Sequence, residues 1–89
     1  MFNNPPTMSP EEIAAALKAG EIVLIDVREP PEYAAERIHG ALLYPLSTFD
    51  PALLPRDEKR LIVFHCGSGK RSATAFAAAA EAGVPLRAH

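Results

Sequence analysis

The chain has 89 residues, of which 48% are hydrophobic and 22% are charged, and its formal net charge at pH 7 is −2. These values are typical of one small globular domain. The weak negative charge gives no reason to expect nucleic acid as a partner, and no apolar run reaches the roughly 18 to 20 residues that cross a bilayer.

The cysteine content and the N-terminal residues indicate in which cellular compartment the protein is expected. Cys66 is the single cysteine, so no intrachain disulfide can form. Residues 1–6 have neither the charged nor the apolar region of a signal peptide. We therefore expect a cytoplasmic protein without a membrane partner.

Short apolar runs alternate with helical patterns along the chain. Ser9 and Glu12 form a capping box around Pro10, which predicts a helix start, and the run 22–25 is too short for a helix and predicts a buried strand. We predict, in chain order, a flexible lead-in (1–8), then one domain (9–89) with a helix (10–19), a strand (22–25), a short helix (31–37), a strand (41–44), a one- or two-turn helix (47–54), a polar loop (55–60), a strand (61–65), a helix (72–82) and a further strand (84–88).

This alternation indicates an α/β fold in which helices flank a mainly parallel sheet. In such folds ligands bind beyond the carboxyl ends of the strands. Asp26, Arg28 and Cys66 all follow predicted strands at that end. Asp26 and Arg28 are expected to pair and brace the neighbouring loop, since an Asp–Arg pair at a strand end commonly fixes turns.

The segment after the strand 61–65 carries the strongest chemical signal. Small residues follow Cys66 and let the backbone N–H groups point inward, which favours a thiolate. Cys66 is therefore a candidate nucleophile. The predicted anion-binding loop consists of Gly67, Ser68, Gly69, Lys70 and Arg71.

Two other loops share part of this sequence. A nucleotide-binding P-loop needs a glycine where Phe64 stands and a Ser or Thr where Arg71 stands. A cysteine phosphatase loop has five residues between its Cys and its Arg, whereas four separate Cys66 from Arg71, so the ring is smaller. One cysteine and three scattered histidines give no reason to expect a metal site.

Three segments together resemble the single-domain rhodaneses, a family of thiosulfate or persulfide sulfurtransferases. They match the family's D-V-R-x-x-x-E-Y segment, its H/R-I-x-G-A turn and its C-x-x-G-x-R-S loop. The matching residues are 25–28 with 32–33, 37–41 and 63–72.

The resemblance implies that Cys66 takes a sulfane sulfur from a small anionic donor and passes the persulfide sulfur to cyanide, a thiol or a sulfur-relay protein. Lys70 and Arg71 are expected to attract and orient the donor, and no metal or organic cofactor is needed. A catalytic pair between His65 and Cys66 is not expected, because neighbouring strand residues point to opposite faces. Glu32 and Tyr33 are expected to cap and pack the short helix, and His39 to lie in a surface turn.

The chain departs from the family near its end. Family members continue past the position of Leu86 through a strand, a Gly-Gly turn and a last helix, so the domain is expected to be C-terminally short and to expose apolar surface. This keeps open a second hypothesis, a non-catalytic rhodanese-like module for sulfur relay or protein interaction. A phosphatase or an arsenate reductase is a more distant alternative.

Overall fold

The structure, a computed structural model, describes residues 7–55, 59–67 and 69–89. Expectations for residues 1–6, for 56–58 and for Ser68 lie outside the described residues. In chain order the elements are α1 (Pro10–Ala19), β1 (Ile22–Asp26), α2 (Pro30–Ala35), β2 (Leu42–Leu43), two 3-10 turns (Leu46–Thr48 and Pro51–Leu53), β3 (Leu61–His65), α3 (Lys70–Glu81) and β4 (Leu86–Ala88).

The strands form one parallel sheet in the order β2-β1-β3-β4. The prediction of a mainly parallel sheet flanked by helices is confirmed. In the central pair Asp26 lies opposite His65, so β1 and β3 end at the same level. The residues that follow these two strands therefore share one edge of the sheet.

Each face of the sheet is covered by a helix, because apolar side chains alternate between the faces along the strands. On one face α3 packs Ala75 and Phe76 against Ile25 and Phe64. On the other face α1 packs with Ile22 and Leu24, and α2 adds Tyr33. The sequence predicted this double burial from the continuous apolar runs.

The helix α1 has the predicted bounds, 10–19. The Ser9 side chain accepts a hydrogen bond from the Glu12 backbone N–H, and the Glu12 carboxylate accepts one from the Ser9 backbone N–H. These bonds lower the pKa of the Glu12 carboxyl, the backbone bond being the larger cause. Gly20 ends the helix in the left-handed conformation, which glycine adopts without a steric penalty.

The predicted helix over 47–54 is wrong. Two separate 3-10 turns occupy this stretch, Leu46–Thr48 and Pro51–Leu53. Asp50 between them is extended, with φ −130° and ψ 110°. The residue before a proline is driven out of the helical region by the proline ring, so no helix runs through Pro51.

Other predicted bounds also need correction. The last strand, β4, covers Leu86–Ala88 rather than 84–88. The helix α2 covers 30–35 rather than 31–37, because Glu36 is extended with φ −159° and its carbonyl accepts a hydrogen bond from the Arg28 guanidinium at 2.6 Å. The strand β2 is limited to 42–43. The helix α3 begins at Lys70 rather than at Ser72, so Lys70 and Arg71 belong to its first turn rather than to the loop.

Among the described residues, no helix has the length and apolar character that crossing a bilayer requires.

Candidate active site

Cys66 lies where the sequence placed it, directly after β3 at the carboxyl edge of the sheet. Cys66 is buried, with 7% of its surface exposed. A cleft of about 270 Å³ reaches it and is lined mostly by apolar side chains from the N-terminal segment, α1 and β3. The sulfur is thus sheltered, and the cleft connects it to the surface.

The sulfur of Cys66 is an acceptor of backbone hydrogen bonds. The N–H of Gly69 points to Sγ at 3.1 Å and the N–H of Ser72 at 3.3 Å, and Ser72 Oγ lies 3.6 Å from Sγ. Both N–H groups belong to the N-terminal end of α3, where backbone donors are unpaired within the helix. These donors favour a negative charge on the sulfur.

Gly69 makes this arrangement sterically feasible. It is the N-cap of α3 and has φ +85°, a left-handed conformation that costs a residue with a Cβ roughly 1–2 kcal/mol. This turn lets the chain reverse within three residues of Cys66 and return its N–H to Sγ. In the sequence, the feature that indicates this turn is the glycine at position 69.

Arg71 is held by a distant carboxylate. Its Nη1 donates to Glu32 Oε1 at 2.7 Å and its Nη2 to Oε2 at 2.9 Å. The hydrogen bonds from Arg71, reinforced by one from the Glu29 N–H, lower the pKa of Glu32 to about 2. The Arg71 pKa is raised, chiefly by Glu32 and further by the charge of Cys66 and a hydrogen bond to it. Arg71 therefore faces both the carboxylate and the sulfur.

Glu32 has a second role that the sequence analysis missed. It caps α2 as expected, since its carboxylate accepts from the Glu29 N–H at 3.0 Å. The same carboxylate binds Arg71, 39 residues later in the chain. Only the tertiary structure brings α2 against the first turn of α3, so sequence spacing carried no signal for this pair.

Asp26 and Arg28 form a buried ion pair beside the cysteine loop. The Arg28 Nη2 lies 2.8 Å from Asp26 Oδ2, and the Asp26 side chain is 0% exposed. Burial alone raises the pKa of the Asp26 carboxyl, but the side-chain and backbone hydrogen bonds from Arg28 outweigh it and the pKa is lowered. Because Arg28 also binds the Glu36 carbonyl, the pair ties the end of β1 to the segment after α2.

The histidines take three different positions. His65 is half-buried at the end of β3, and burial is the largest cause of its lowered pKa, with Asp26 opposing and Arg28 adding to the effect. His39 lies exposed in a turn. His89 Nδ1 is 2.8 Å from Ser72 Oγ, a contact that the sequence analysis did not anticipate.

A second cleft, of about 340 Å³, adjoins Gly67 and is lined by Arg28, Glu36, Arg37, Ile38 and His65. Arg37 is exposed and lies over the Tyr33 ring, with 5.0 Å between its Cζ and the ring centroid. Two guanidinium groups therefore border the cysteine loop. The sequence analysis expected this positive charge from Lys70 and Arg71, which both lie in the first turn of α3, with Lys70 exposed.

A buried thiol that accepts hydrogen bonds from the N–H groups of Gly69 and Ser72, beside a charged guanidinium, is an arrangement for nucleophilic chemistry with anionic sulfur. Among the described residues there is no group of three or more His, Cys, Asp or Glu side chains that could hold a metal ion.

Comparison with known families identifies the class of protein. The rhodanese-like domain family matches residues 9–88. The chain therefore belongs to the rhodanese-like domain family, as the motifs indicated.

Particular relatives include sulfurtransferases. A human structure, the single-domain sulfurtransferase TSTD1, is similar with a TM-score of 0.72 and 35% identity, covering 88% of this chain and 81% of that one. The human thiosulfate:glutathione sulfurtransferase is 36% identical over an alignment of 80 residues that covers 74% of this chain and 70% of that protein.

A longer relative is the probable adenylyltransferase/sulfurtransferase MoeZ of Mycobacterium tuberculosis. It is 40% identical over 88 residues, a match that spans 93% of this chain and 22% of MoeZ. A Synechocystis protein is 36% identical over 78 residues, and the chain spans 44% of its length. The chain thus spans less than half the length of these two relatives.

Proposed function

We propose that the protein is a sulfurtransferase that carries a sulfane sulfur on Cys66 as a persulfide. One observation carries the proposal: Cys66 Sγ accepts the N–H groups of Gly69 and Ser72 at 3.1 and 3.3 Å. These donors are fixed by the backbone, so they stabilise negative charge without reorganising. The similarity to sulfurtransferases supports the same reading.

In the first half-reaction the Cys66 thiolate attacks the outer sulfur of thiosulfate. A new S–S bond forms, the S–S bond of thiosulfate breaks, and sulfite leaves with the bonding electron pair. The two charges of thiosulfate and the one of the thiolate reappear on sulfite and on the Cys66 persulfide. No external oxidant or reductant is needed.

In the second half-reaction a thiophilic acceptor attacks the outer persulfide sulfur, and the Cys66 thiolate leaves. Cyanide is the acceptor in an assay. In the cell the acceptor is a small thiol or a protein thiol, in a compartment that keeps thiols reduced, such as the cytoplasm. The human relative named thiosulfate:glutathione sulfurtransferase supports a small thiol such as glutathione.

Positive charge near the loop attracts the anionic donor. Arg71 is ion-paired with Glu32, so its main contribution is to hold the first turn of α3 against α2 and beside the sulfur. We assign the attraction of the donor to Lys70 together with Arg37 in the cleft at Gly67, because Arg28 in that cleft is ion-paired with Asp26. Asp26 and Arg28 fix the end of β1 next to that cleft.

The experiment that tests the proposal measures thiocyanate formed from thiosulfate and cyanide. The wild type is expected to turn over, and Cys66→Ser and Cys66→Ala to be inactive while keeping the wild-type circular dichroism spectrum. Lys70→Ala should raise the KM for thiosulfate, whereas Lys18→Ala, an exposed lysine on α1, should leave it unchanged. Turnover that survives the loss of the thiol rules the proposal out.

A sulfur-relay module is the second candidate. Its support is the match of nearly the whole chain to one part of MoeZ, whose name includes a sulfurtransferase. In that case Cys66 accepts sulfur from a protein persulfide and turns over poorly with thiosulfate. Loading of Cys66 by a protein persulfide, with no thiocyanate formed from thiosulfate, would select the relay over the free-standing enzyme.

A further inference from the structure

The hydroxyl of Ser72 joins the reactive sulfur to a histidine. Ser72 is 2% exposed, and its Oγ lies 3.6 Å from Cys66 Sγ, 2.8 Å from His89 Nδ1 and 3.1 Å from the Gly69 carbonyl. His89 follows β4, and β4 pairs with β3, the strand that precedes Cys66. The sheet therefore brings the C-terminal histidine to the cysteine loop.

The hydroxyl has a single proton and three neighbours that compete for it. The Gly69 carbonyl can only accept, whereas the sulfur and the imidazole nitrogen can each donate or accept, depending on their protonation. When Nδ1 carries a proton it donates to Ser72 Oγ, and the hydroxyl proton is then free to point to the thiolate. Ser72 thereby becomes a donor to Sγ in addition to the two backbone N–H groups.

We propose that His89 is a positioning residue that holds the proton of the Cys66 thiol, passed to it through the Ser72 hydroxyl. The inference rests on the proposed persulfide chemistry, which needs the thiolate. It concerns a side chain outside the cysteine loop and assigns it a role in setting the charge of the sulfur.

The transfer balances without a further reactant. The thiol gives its proton to Ser72 Oγ while the Ser72 hydroxyl gives its own proton to His89 Nδ1. The product is a thiolate and an imidazolium, and both hydrogen bonds now run in the opposite direction, from Nδ1 to Oγ and from Oγ to Sγ. The net change is one proton moved from sulfur to nitrogen.

The contacts of Ser72 Oγ with His89 Nδ1 and Cys66 Sγ make Cys66 the group to which His89 responds. Among the described residues that line the cleft at Cys66 with His89, the other titratable side chains are Cys66 and His65. The contributions of α1 to this cleft, Pro10 and Ile13, are uncharged. On α3 the ring centroid of Phe76 lies 6.3 Å from that of His89. The neighbouring Arg87 is directed to Glu21 instead, and Arg71 adds its charge on the sulfur side.

The test is the pH dependence of the rate at which iodoacetamide alkylates Cys66. Relative to wild type, His89→Gln should raise the midpoint by about one pH unit, because a charged partner of the thiolate is lost. Ser72→Ala should raise it similarly, and the Ser72→Ala, His89→Gln double variant should show no larger shift than Ser72→Ala, because both act through one path. His39→Gln, at an exposed turn, should keep the wild-type midpoint.

Two results with the variants would overturn the proposal: an unchanged midpoint in His89→Gln, or shifts that add in the double variant. Nitrogen NMR of the wild-type imidazole provides a check that needs no variant, since Nδ1 should hold a proton once Cys66 has ionised. An Nδ1 that is unprotonated at that pH also overturns it. Alkylation uses no sulfur donor. The alkylation experiment therefore tests this proton transfer independently of whether Cys66 forms a persulfide.

Discussion

Arg71 and Glu32, which are 39 residues apart in the chain, form a two-point ion pair with N–O distances of 2.7 and 2.9 Å. The pair joins α2 to the first turn of α3, the turn whose N–H groups bind the sulfur of Cys66. Two parallel bonds fix the orientation of a planar guanidinium, which a single contact cannot do. The reactive loop is thus anchored from outside its own sequence.

Breaking this anchor should lower activity more than stability. Glu32→Gln and Arg71→Lys both lose the two-point geometry, and we expect kcat/KM with thiosulfate to fall roughly 10- to 100-fold, since small misplacements of a reacting group are costly. The melting temperature should change little, because the pair is solvent-exposed. Glu21→Gln, which disrupts the exposed pair with Arg87, is the matched control and should keep wild-type kinetics.

The same pair should give a pH-dependent contribution to stability. The folded-state pKa of Glu32 is lowered from 4.5 to about 2, so the carboxylate contribution is complete above pH 4.5 and is lost as the pH falls through about 2. The small difference in melting temperature between wild type and Glu32→Gln should be constant from pH 8 to 5 and shrink on further acidification. A difference that changes between pH 6 and 8 would contradict this assignment.

Asp26→Ala should destabilise the fold, because it leaves the Arg28 guanidinium, 14% exposed, without its carboxylate. We expect a loss of roughly 2–4 kcal/mol in the free energy of unfolding, measured by urea denaturation. Removing both charges in Asp26→Ala, Arg28→Ala should cost less than the sum of the single changes. Strict additivity would show that the two side chains do not stabilise one another.

Two glycines of the cysteine loop should respond differently to the same substitution. Gly69→Ala puts a Cβ on a residue with φ +85° and should cost about 1–2 kcal/mol of stability and reduce thiol reactivity, since the Gly69 N–H is displaced from Sγ. Gly67→Ala is the control: its Cβ would meet open space and its φ is not in the left-handed region. Equal effects of the two changes would refute the role given to the Gly69 turn.

Local signals explain what the sequence predicted well. The bounds of α1 follow from Ser9, Glu12 and Gly20, and the strands β1 and β3 follow from continuous apolar runs. The position of Cys66 at the carboxyl edge follows from the parallel alternation of strands and helices. Each of these inferences needs residues that are close together in the chain.

The errors and omissions involve competition between local preferences or contacts between distant segments. The stretch 47–54 was expected to be helical although Pro51 forces Asp50 into an extended conformation. The start of α3 was placed at 72, because the left-handed turn at Gly69, which allows the helix to begin at 70, cannot be told from other glycine conformations in sequence. The contacts of Glu32 and His89 at the site depend on tertiary packing alone.

The measurement that tests the central claim most directly is mass spectrometry of the protein after incubation with thiosulfate and removal of excess donor. The account predicts a gain of one sulfur atom on the peptide that contains Cys66, removed by cyanide and absent in Cys66→Ser. A Cys66 peptide that stays unmodified in folded protein, with its thiol still open to alkylation, would contradict it.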